Sequence, residues 1–309
     1  MDAAALLRPE EARYVYLAGR VAKCEKRHRE AERWLRRASS LAYRDDDWLT
    51  YALSLKDLGM LAWDQGVFGR ARSLLFRALR YARKQGDPGV EGVILHNIFV
   101  VRVTGGDFEG VEAVARQAFE RYLPYHDRLP ALAYDLTYYW LTRGYAFRAI
   151  PVLRSLVPHF KQQAQRLQVL SALGRAAGAV GDLEVFQEAW KEASSVRGLH
   201  PRLDTNAAAL SDFGFGAAHL GLWETARACF EEAAAAAEEL GQSDMLIRAE
   251  AGIEAVSRHE NPDTLVRPLV ASGQGPDPFM RQVLDTLESL SDAARKHRQR
   301  EAFFDGSMD

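Results

Sequence analysis

The chain has 309 residues, of which 48% are apolar and 27% are charged, and its formal net charge at pH 7 is −2. This composition is typical of an ordered soluble protein. The near-zero charge gives no overall bias toward nucleic acid or an anionic membrane.

The start of the chain does not resemble a signal peptide, because residues 1–9 lack a cationic region and Asp2 precedes their short apolar run. No uninterrupted apolar run approaches the ~20 residues that a bilayer crossing requires. The two cysteines, Cys24 and Cys229, lie far apart in sequence. We therefore expect two free, partly buried thiols, and a cytoplasmic protein without a membrane partner.

A helix-pair pattern recurs along the chain at intervals of 37 to 40 residues. Its first-helix position holds Gly19, Gly59, Phe99, Thr137, Gly174 and Gly214. The second helix places a mostly small residue twelve positions later, at Ala31, Ala71, Val111, Ala149, Phe186 and Ala226. Four positions further along the same helical face stand Leu35, Leu75, Ala115, Leu153, Trp190 and Phe230. Six such units predict stacked helix pairs, because each buries its apolar face only against its neighbours.

A turn signal separates the two helices of each pair. Glycine, which readily adopts the left-handed conformation that ends a helix, occupies this slot at Gly66, Gly106, Gly144, Gly181 and Gly221. The first pair departs from the rule, with Lys26, Arg27 and His28 in the slot. No alternating β-branched run predicts a sheet.

These positions resemble the tetratricopeptide repeat family, in its longer-period form of about 40 residues, over residues 12–256. The resemblance implies an all-α, right-handed solenoid of about six stacked antiparallel helix pairs. First helices would line its concave face and second helices its convex face. The tryptophan expected near the start of the first helix is missing, and the closing proline is poorly kept, so no subfamily is indicated.

The repeat pattern stops after Glu260. We predict a repeat domain over residues 1–260, an irregular connection rich in proline and glycine over 261–278, and a C-terminal helix over 279–304. That helix places Val283, Leu284, Leu287 and Leu290 on one face. It either caps the last repeat, as solenoids require, or binds a partner.

The resemblance also implies which side chains face the concave groove. They are Lys56, Met60, His96, Asn97, Tyr134, Asp135, Tyr138, Arg175, Phe215 and His219. Tyrosine and arginine beside hydrogen-bonding groups suit the capture of a peptide or helix, since they dominate interface hot spots. The alternative is that Tyr134, Tyr138 and Phe215 pack between adjacent first helices. Residues 134–140 are the strongest candidate for partner contact.

A carboxylate clamp, with which some members of the family hold a C-terminal carboxylate, is not predicted. Lys56 and Asn97 fall in matching slots, but Met60 replaces the next asparagine. Ala131 and Asp135 replace the basic pair, and an aspartate there would repel a carboxylate.

No motif for catalysis or metal binding is found in the sequence. The eight histidines include no pair at the spacing of a zinc-binding helix, and there is no Cys-x-x-Cys. The glycines around Gly105 lack the Lys-Ser/Thr of a phosphate-binding loop, and no Gly-x-Ser-x-Gly elbow is present. We expect no enzyme activity, no cofactor and no metal.

Charge is unevenly distributed along the chain. Residues 70–84 carry five arginines and a lysine without an acid, whereas residues 224–260 carry nine acids and three arginines. This pattern indicates either a solvated convex face, or docking of an acidic partner or of the acidic end of another copy. No alternation of aromatic and basic residues supports reading of RNA bases, so nucleic acid is not favoured.

The sequence therefore predicts a scaffold or adaptor that binds a peptide, helix or protein segment in the groove of a solenoid. A rigid groove loses little entropy on binding. Two alternatives stay open: a regulatory protein that responds to a peptide or ligand and acts through a separate partner, and a repeat protein that binds an acidic partner or nucleic acid.

Overall fold

The structure, a computed structural model, describes residues 11–123, 126–264 and 277–304. Most of the residues that the structure describes lie in α-helices. None of the described residues lies in a β-strand. The chain is therefore an all-α helical repeat, as predicted.

Fourteen α-helices lie within the described residues. Their bounds are α1 Ala12–Cys24, α2 His28–Arg44, α3 Trp48–Asp64, α4 Phe68–Gln85, α5 Pro88–Thr104, α6 Val111–Tyr122, α7 Leu129–Thr142, α8 Ala146–Leu156, α9 Gln163–Val180, α10 Leu183–Leu199, α11 Asn206–His219, α12 Trp223–Glu239, α13 Ser243–Ser257 and α14 Pro278–Phe304. Two short 3₁₀ helices span His126–Arg128 and Val157–His159. Within the described ranges, none of the helices has both the length and the apolar composition needed to cross a bilayer.

The chain divides into two compact units, where the sequence predicted one repeat domain over residues 1–260. Unit 1 covers residues 1–132 and unit 2 covers residues 133–309, so the division falls inside α7. In unit 1 the helix pairs are α1–α2, α3–α4 and α5–α6, and the second helices α2 and α4 also pack on the first helices α3 and α5 that follow them. In unit 2, α9 pairs with α10 and α11 with α12, and α13 stacks on both α11 and α12.

The small residues of the repeat mark close contacts between paired helices. A Cβ atom added to Gly19 would lie 2.9 Å from the Leu35 side chain, and one added to Gly59 would lie 3.0 Å from Leu75. The predicted partners of the first two pairs therefore meet. In the third pair the sizes are exchanged, because Phe99 and Ala115 occupy the two positions and both are fully buried.

The turns inside the pairs adopt the predicted left-handed conformation. The five glycines of this slot have φ between 71° and 79°. Lys26 occupies the equivalent place in the first pair with φ 58°, although its side chain disfavours this conformation by roughly 1–2 kcal/mol. The tight reversal is therefore a requirement of the helix pair rather than a consequence of the glycine.

The first helices α9 and α11 of unit 2 touch along their backbones. A Cβ atom on Gly178 would overlap the main chain of Gly216, and one on Gly216 would lie 2.7 Å from the Gly174 carbonyl oxygen. As a result α11 packs on α9 as extensively as on its own partner α12, and only marginally on α10, unlike the corresponding helices of unit 1. The regular stacking expected from the 40-residue spacing is not kept here, because glycines let two first helices approach directly.

We expect Gly178→Ala to lower the free energy of unfolding by about 1–3 kcal/mol, because the added methyl group meets backbone that has no room to move. Urea denaturation followed by circular dichroism measures this. The matched control is Gly69→Ala on α4, where an added Cβ atom meets nothing within 4 Å. That control should leave stability unchanged or slightly higher. Equal effects of the two substitutions would contradict the backbone contact.

The C-terminal helix α14 packs mainly on α8, in the fourth predicted pair. Its apolar face includes the predicted Val283 and Leu287, which are buried, and Phe279 adds a third buried contact. At its start, Asp277 forms an ion pair of 3.1 Å with the buried Arg148 of α8. The expectation that this helix covers the last repeat is therefore wrong in its location, because its anchoring partners lie on α8.

His159 is the last residue of the 3₁₀ helix that follows α8, and it links this helix to α14. Its Nε2 atom lies 3.1 Å from the Leu287 carbonyl oxygen and 3.0 Å from Ser291 Oγ. Burial lowers the pKa of this imidazole, although the Leu287 carbonyl opposes the shift. The folded protein therefore binds the His159 proton less readily than the unfolded chain does.

Acidification should weaken the packing of α14. A depressed folded-state pKa means that stability is complete above the ordinary histidine pKa of about 6.5 and falls as the pH drops below it. We expect the urea midpoint to fall between pH 7.5 and pH 5.5 by more in the wild type than in His159→Gln, whose amide still donates a hydrogen bond. An equal fall in both proteins would contradict this role of His159.

Candidate functional site

Several of the predicted site residues lie together in unit 2, on a surface that we call the first-helix face of unit 2. It is formed by α9, α11 and α13 together with the Tyr134–Tyr138 turn of α7. Arg175 of α9 lies at its centre and is 6% exposed. The side chains around Arg175 determine what this face can bind.

Arg175 is held between two aspartates. Its Nε atom donates to Asp263 Oδ2 at 2.7 Å, and its Nη2 atom donates to the other oxygen of the same carboxylate. Its Nη1 atom donates to Asp212 Oδ1 of α11 at 3.1 Å. Both edges of the guanidinium are therefore occupied, in the bidentate geometry that makes arginine–carboxylate pairs strong.

Asp212 connects Arg175 to the neighbouring helices. Its Oδ1 atom also lies 3.4 Å from Nη2 of Arg248 on α13. Its Oδ2 atom accepts from the Ser171 hydroxyl at 3.4 Å. One carboxylate thus joins side chains of three first helices.

Phe215 lies beneath both guanidinium groups. The Arg175 and Arg248 carbon atoms Cζ are each 4.7 Å from the centre of its ring. Phe215 is 5% exposed. A ring contacted by two cations stabilises them and keeps the pocket rigid.

The residues that follow α13 close this face. Asp263, whose side chain is fully buried, also lies 3.2 Å from His219 Nε2. The Asn261 amide lies 2.8 Å from His219 Nδ1, and Asn261 Oδ1 accepts from the Asp263 backbone N–H at 2.9 Å. Residues 261–263 therefore form a short turn that places a carboxylate between α9 and α11.

The electrostatics favour the ionised pair. Burial lowers the pKa of the Arg175 guanidinium, but hydrogen bonding to Asp263 and the charges of Asp212 and Asp263 raise it more, so that it lies above its ordinary value. Burial, followed by the charges of Asp212 and Asp135, raises the pKa of the Tyr134 phenol. Tyr134 therefore stays neutral beside the network.

The predicted residues of unit 2 have different degrees of access. Tyr134, Asp135, Tyr138 and His219 are partly exposed. Arg175 and Phe215 are buried, so the expectation that they face a partner is not met in this structure. They are covered because α9 and α11 approach closely and because Asp263 occupies the guanidinium. Phe215 follows the alternative of packing between first helices.

The predicted residues of unit 1 lie on α3 and α5. Lys56 Nζ pairs with Asp57 Oδ1 at 3.0 Å, and Asp57 also accepts from Lys23 at 3.2 Å and from the Tyr16 hydroxyl at 2.9 Å. Burial lowers the pKa of the Lys56 ammonium. Burial raises the pKa of the Asp57 carboxyl, but the charges of Lys56 and Lys23 lower it by more than burial raises it. The pKa of Asp57 therefore lies below its ordinary value. Lys56 therefore forms an ion pair with a buried carboxylate of its own chain.

Met60, His96 and Asn97 are all partly exposed in unit 1. His96 Nδ1 lies 3.3 Å from the hydroxyl of the buried Tyr122, and the two rings meet edge to face. This contact ties His96 to the second helix of its own pair. Sequence reasoning did not identify Asp263 or Arg248 as members of a site, because both lie beyond the six predicted pairs.

The basic helix α4 is paired with acids of two neighbouring helices and of the loop after α5. Arg70 bonds Glu32 at 2.7 Å, Arg72 bonds Asp107 at 3.2 Å, and Arg83 bonds Glu91 at 2.9 Å. No acid stands among these arginines in the sequence, because their acidic partners are at least eight residues away and lie outside α4. Much of the apparent positive surface is therefore neutralised within unit 1.

The thiols and possible metal ligands give no further site. Cys24 is exposed, contrary to the expected partial burial, and Cys229 is buried. Burial raises the pKa of the Cys229 thiol to about 12, so it stays protonated. Among the residues that the structure describes, no group of three or more His, Cys, Asp or Glu side chains is arranged to hold a metal ion.

Comparison with known proteins identifies the fold but no family. No protein-family model matches the chain. No curated protein matches it significantly.

Two solved structures have a similar fold. The first is BtubC (BKLC) from P. vanneervenii, with a TM-score of 0.56 and 18% identity over 64% of this chain and 85% of that protein. The second is a signal transduction ATPase with numerous domains (STAND) that has a tetratricopeptide repeat sensor, from Pyrococcus horikoshii. Its TM-score is 0.55 with 16% identity, over 82% of this chain and 38% of that protein. Both likenesses support a helical-repeat fold.

Arg175→Met should lower the free energy of unfolding by about 3–5 kcal/mol, because it leaves the buried Asp263 without its countercharge. Chemical denaturation measures the loss. The control is Arg154→Met, which breaks an exposed ion pair with Glu188 in the same unit. That substitution should cost about 0–1 kcal/mol. A small effect of Arg175→Met would show that the pair is not important for stability.

Proposed function

We propose that this chain is a protein-interaction scaffold of the tetratricopeptide repeat type, which acts in the cytoplasm and binds a segment of another protein on the first-helix face of unit 2. The observation that carries this proposal is the composition of that face. Partly exposed Tyr134 and Tyr138 lie next to a rigid network of charged side chains centred on Arg175. Aromatic and arginine side chains on a preorganised surface suit protein recognition.

The helical-repeat fold supports this proposal. Stacked repeats present extended surfaces rather than enclosed pockets. The similarity to a protein with a tetratricopeptide repeat sensor is compatible with membership of that family, as are the glycine turns and the small residues of the first two pairs.

We further propose that the chain is not an enzyme. The charged side chains of the first-helix face are engaged with one another, as the Arg175 contacts with Asp212 and Asp263 illustrate. Such pairing stabilises a fixed surface. Ser171 donates its hydroxyl to Asp212, but it is 1% exposed, so this hydroxyl is not presented to a substrate as the nucleophile of acyl transfer and related chemistry must be.

Tyr138→Ala should reduce capture of the partner about tenfold or more, because a hot-spot tyrosine contributes about 2 kcal/mol to binding. The tagged full-length chain would be purified from its native cells, and the retained proteins compared by quantitative mass spectrometry. The control is Tyr43→Ala, which removes a tyrosine that is 54% exposed on α2 of unit 1.

Circular dichroism should show the same helicity for both variants. Equal capture by the wild type and Tyr138→Ala would reject the first-helix face of unit 2 as the binding surface. Loss of capture with Tyr43→Ala alone would assign binding to unit 1 instead.

A second candidate, a regulatory protein that responds to a peptide, is favoured by one observation. The residues after α13 already occupy the first-helix face with a buried aspartate. A surface that holds a segment of its own chain is able to exchange that segment for another one.

A further inference from the structure

Asp263 has the position of a bound ligand on the first-helix face. Residues 261–264 are not helical, and Asn261 and Thr264 are exposed, but the Asp263 side chain is fully buried. Its two carboxylate oxygens receive Nε and Nη2 of Arg175, and His219 Nε2 lies 3.2 Å from one of them. The segment is therefore anchored through a carboxylate.

Two guanidinium groups, those of Arg175 and Arg248, line the pocket beneath Asp263. Both arginines form ion pairs with the Asp212 carboxylate, and Arg175 uses its Nη1 atom for this contact. The Nε–Nη2 edge of Arg175 then points to the place that Asp263 fills. A planar edge of two N–H donors matches a carboxylate bidentately.

The pocket is also preorganised. Phe215 fixes both guanidinium groups from below at 4.7 Å. Arg175 lies on α9 and His219 on α11, and these two helices touch along the backbone at their glycines. A rigid receptor loses little entropy when its ligand binds.

We propose that Arg175 and His219 form a carboxylate receptor, that Asp263 is its internal ligand, and that an acidic segment of a partner protein binds there by displacing residues 261–264. This inference deepens the proposed function, on which it rests. The recognised group is an aspartate or glutamate side chain in a short turn, as the Asn261–Asp263 turn displays it. These positions differ from the Lys56 and Asn97 slots of a carboxylate clamp.

The tether determines how strongly a partner must bind. A carboxylate on the same chain acts at an effective concentration on the order of millimolar. A partner segment therefore needs contacts beyond the carboxylate, and the partly exposed Tyr138 and Asp135 of the same face are available for them. Removing the Asp263 carboxylate removes this competition.

The test uses the internal ligand as the probe. A fluorescent, amidated peptide with the sequence of residues 258–264 would be titrated into the full chain and its anisotropy measured. We expect Asp263→Ala to bind it about tenfold or more tightly than the wild type, because the tethered competitor is gone. The double variant Asp263→Ala, Arg175→Met should not bind the peptide. A second peptide, with asparagine in place of the aspartate, should bind neither the wild type nor the variants.

Asp277→Ala is the matched control. It removes another aspartate that flanks the C-terminal segment and pairs with a buried arginine, Arg148, yet it leaves Asp263 in place. It should bind the peptide no better than the wild type. Equal binding by Asp263→Ala and Asp277→Ala would overturn the proposal, because the gain would then reflect loosening of unit 2.

Two further measurements keep the test decisive. Sodium formate should raise the melting temperature of Asp263→Ala above its value in sodium chloride at equal ionic strength, and should not do so for the wild type. If Asp263→Ala does not fold, Asp263→Asn keeps the volume and should show the same gain in peptide binding. Absence of both the formate effect and the peptide gain would overturn the carboxylate receptor.

A third peptide distinguishes recognition of a side-chain carboxylate from recognition of a C-terminal carboxylate. It has asparagine at the aspartate position and a free C-terminus. Binding of this peptide alone would overturn the assignment to a side-chain carboxylate. Failure of the peptide tests together with intact, Tyr138-dependent partner capture would reject the receptor and leave the scaffold function standing. Loss of partner capture would not alter the peptide result.

Discussion

The close approach of neighbouring helices is the constraint on which this structure depends. A pair of helices is too small to bury its apolar face alone, so each pair must contact the next one over a large area. Small residues at the contact points make this possible. Gly19 and Gly59 admit a leucine of the second helix, and Gly178 with Gly216 admits another backbone. Where the small residue lies therefore decides which helices touch.

The two units use this constraint differently. In unit 1 the second helices carry the stack from pair to pair, and the first helices are only marginally in contact. In unit 2 the glycines place α9 directly on α11. This contact brings side chains of successive first helices within hydrogen-bonding distance, and the buried network around Arg175 follows from it. Unit 1 has a smaller counterpart, in which Asp57 joins Lys23 and Lys56.

A buried arginine imposes its own requirement. Desolvation of a guanidinium is costly unless carboxylates compensate it, and one aspartate satisfies only one edge of the group. Asp212 comes from the adjacent helix, whereas Asp263 comes from the chain that leaves the stack after α13. Charge therefore holds Asp263 on the first-helix face. Asp277, just before α14, neutralises a second buried arginine, Arg148 of α8.

The sequence alone determined the helical fold, the glycine turns and the apolar face of α14, because these depend on local periodicity and on contacts repeated at a fixed interval. It also identified Arg175, Phe215 and His219 as members of one surface. Only the tertiary structure decided that Arg175 and Phe215 are buried, that α14 packs on α8, and that Asp263 reaches Arg175. These contacts join residues up to about 130 positions apart in the chain. They depend on the spacing of whole helices, which a periodic pattern does not encode.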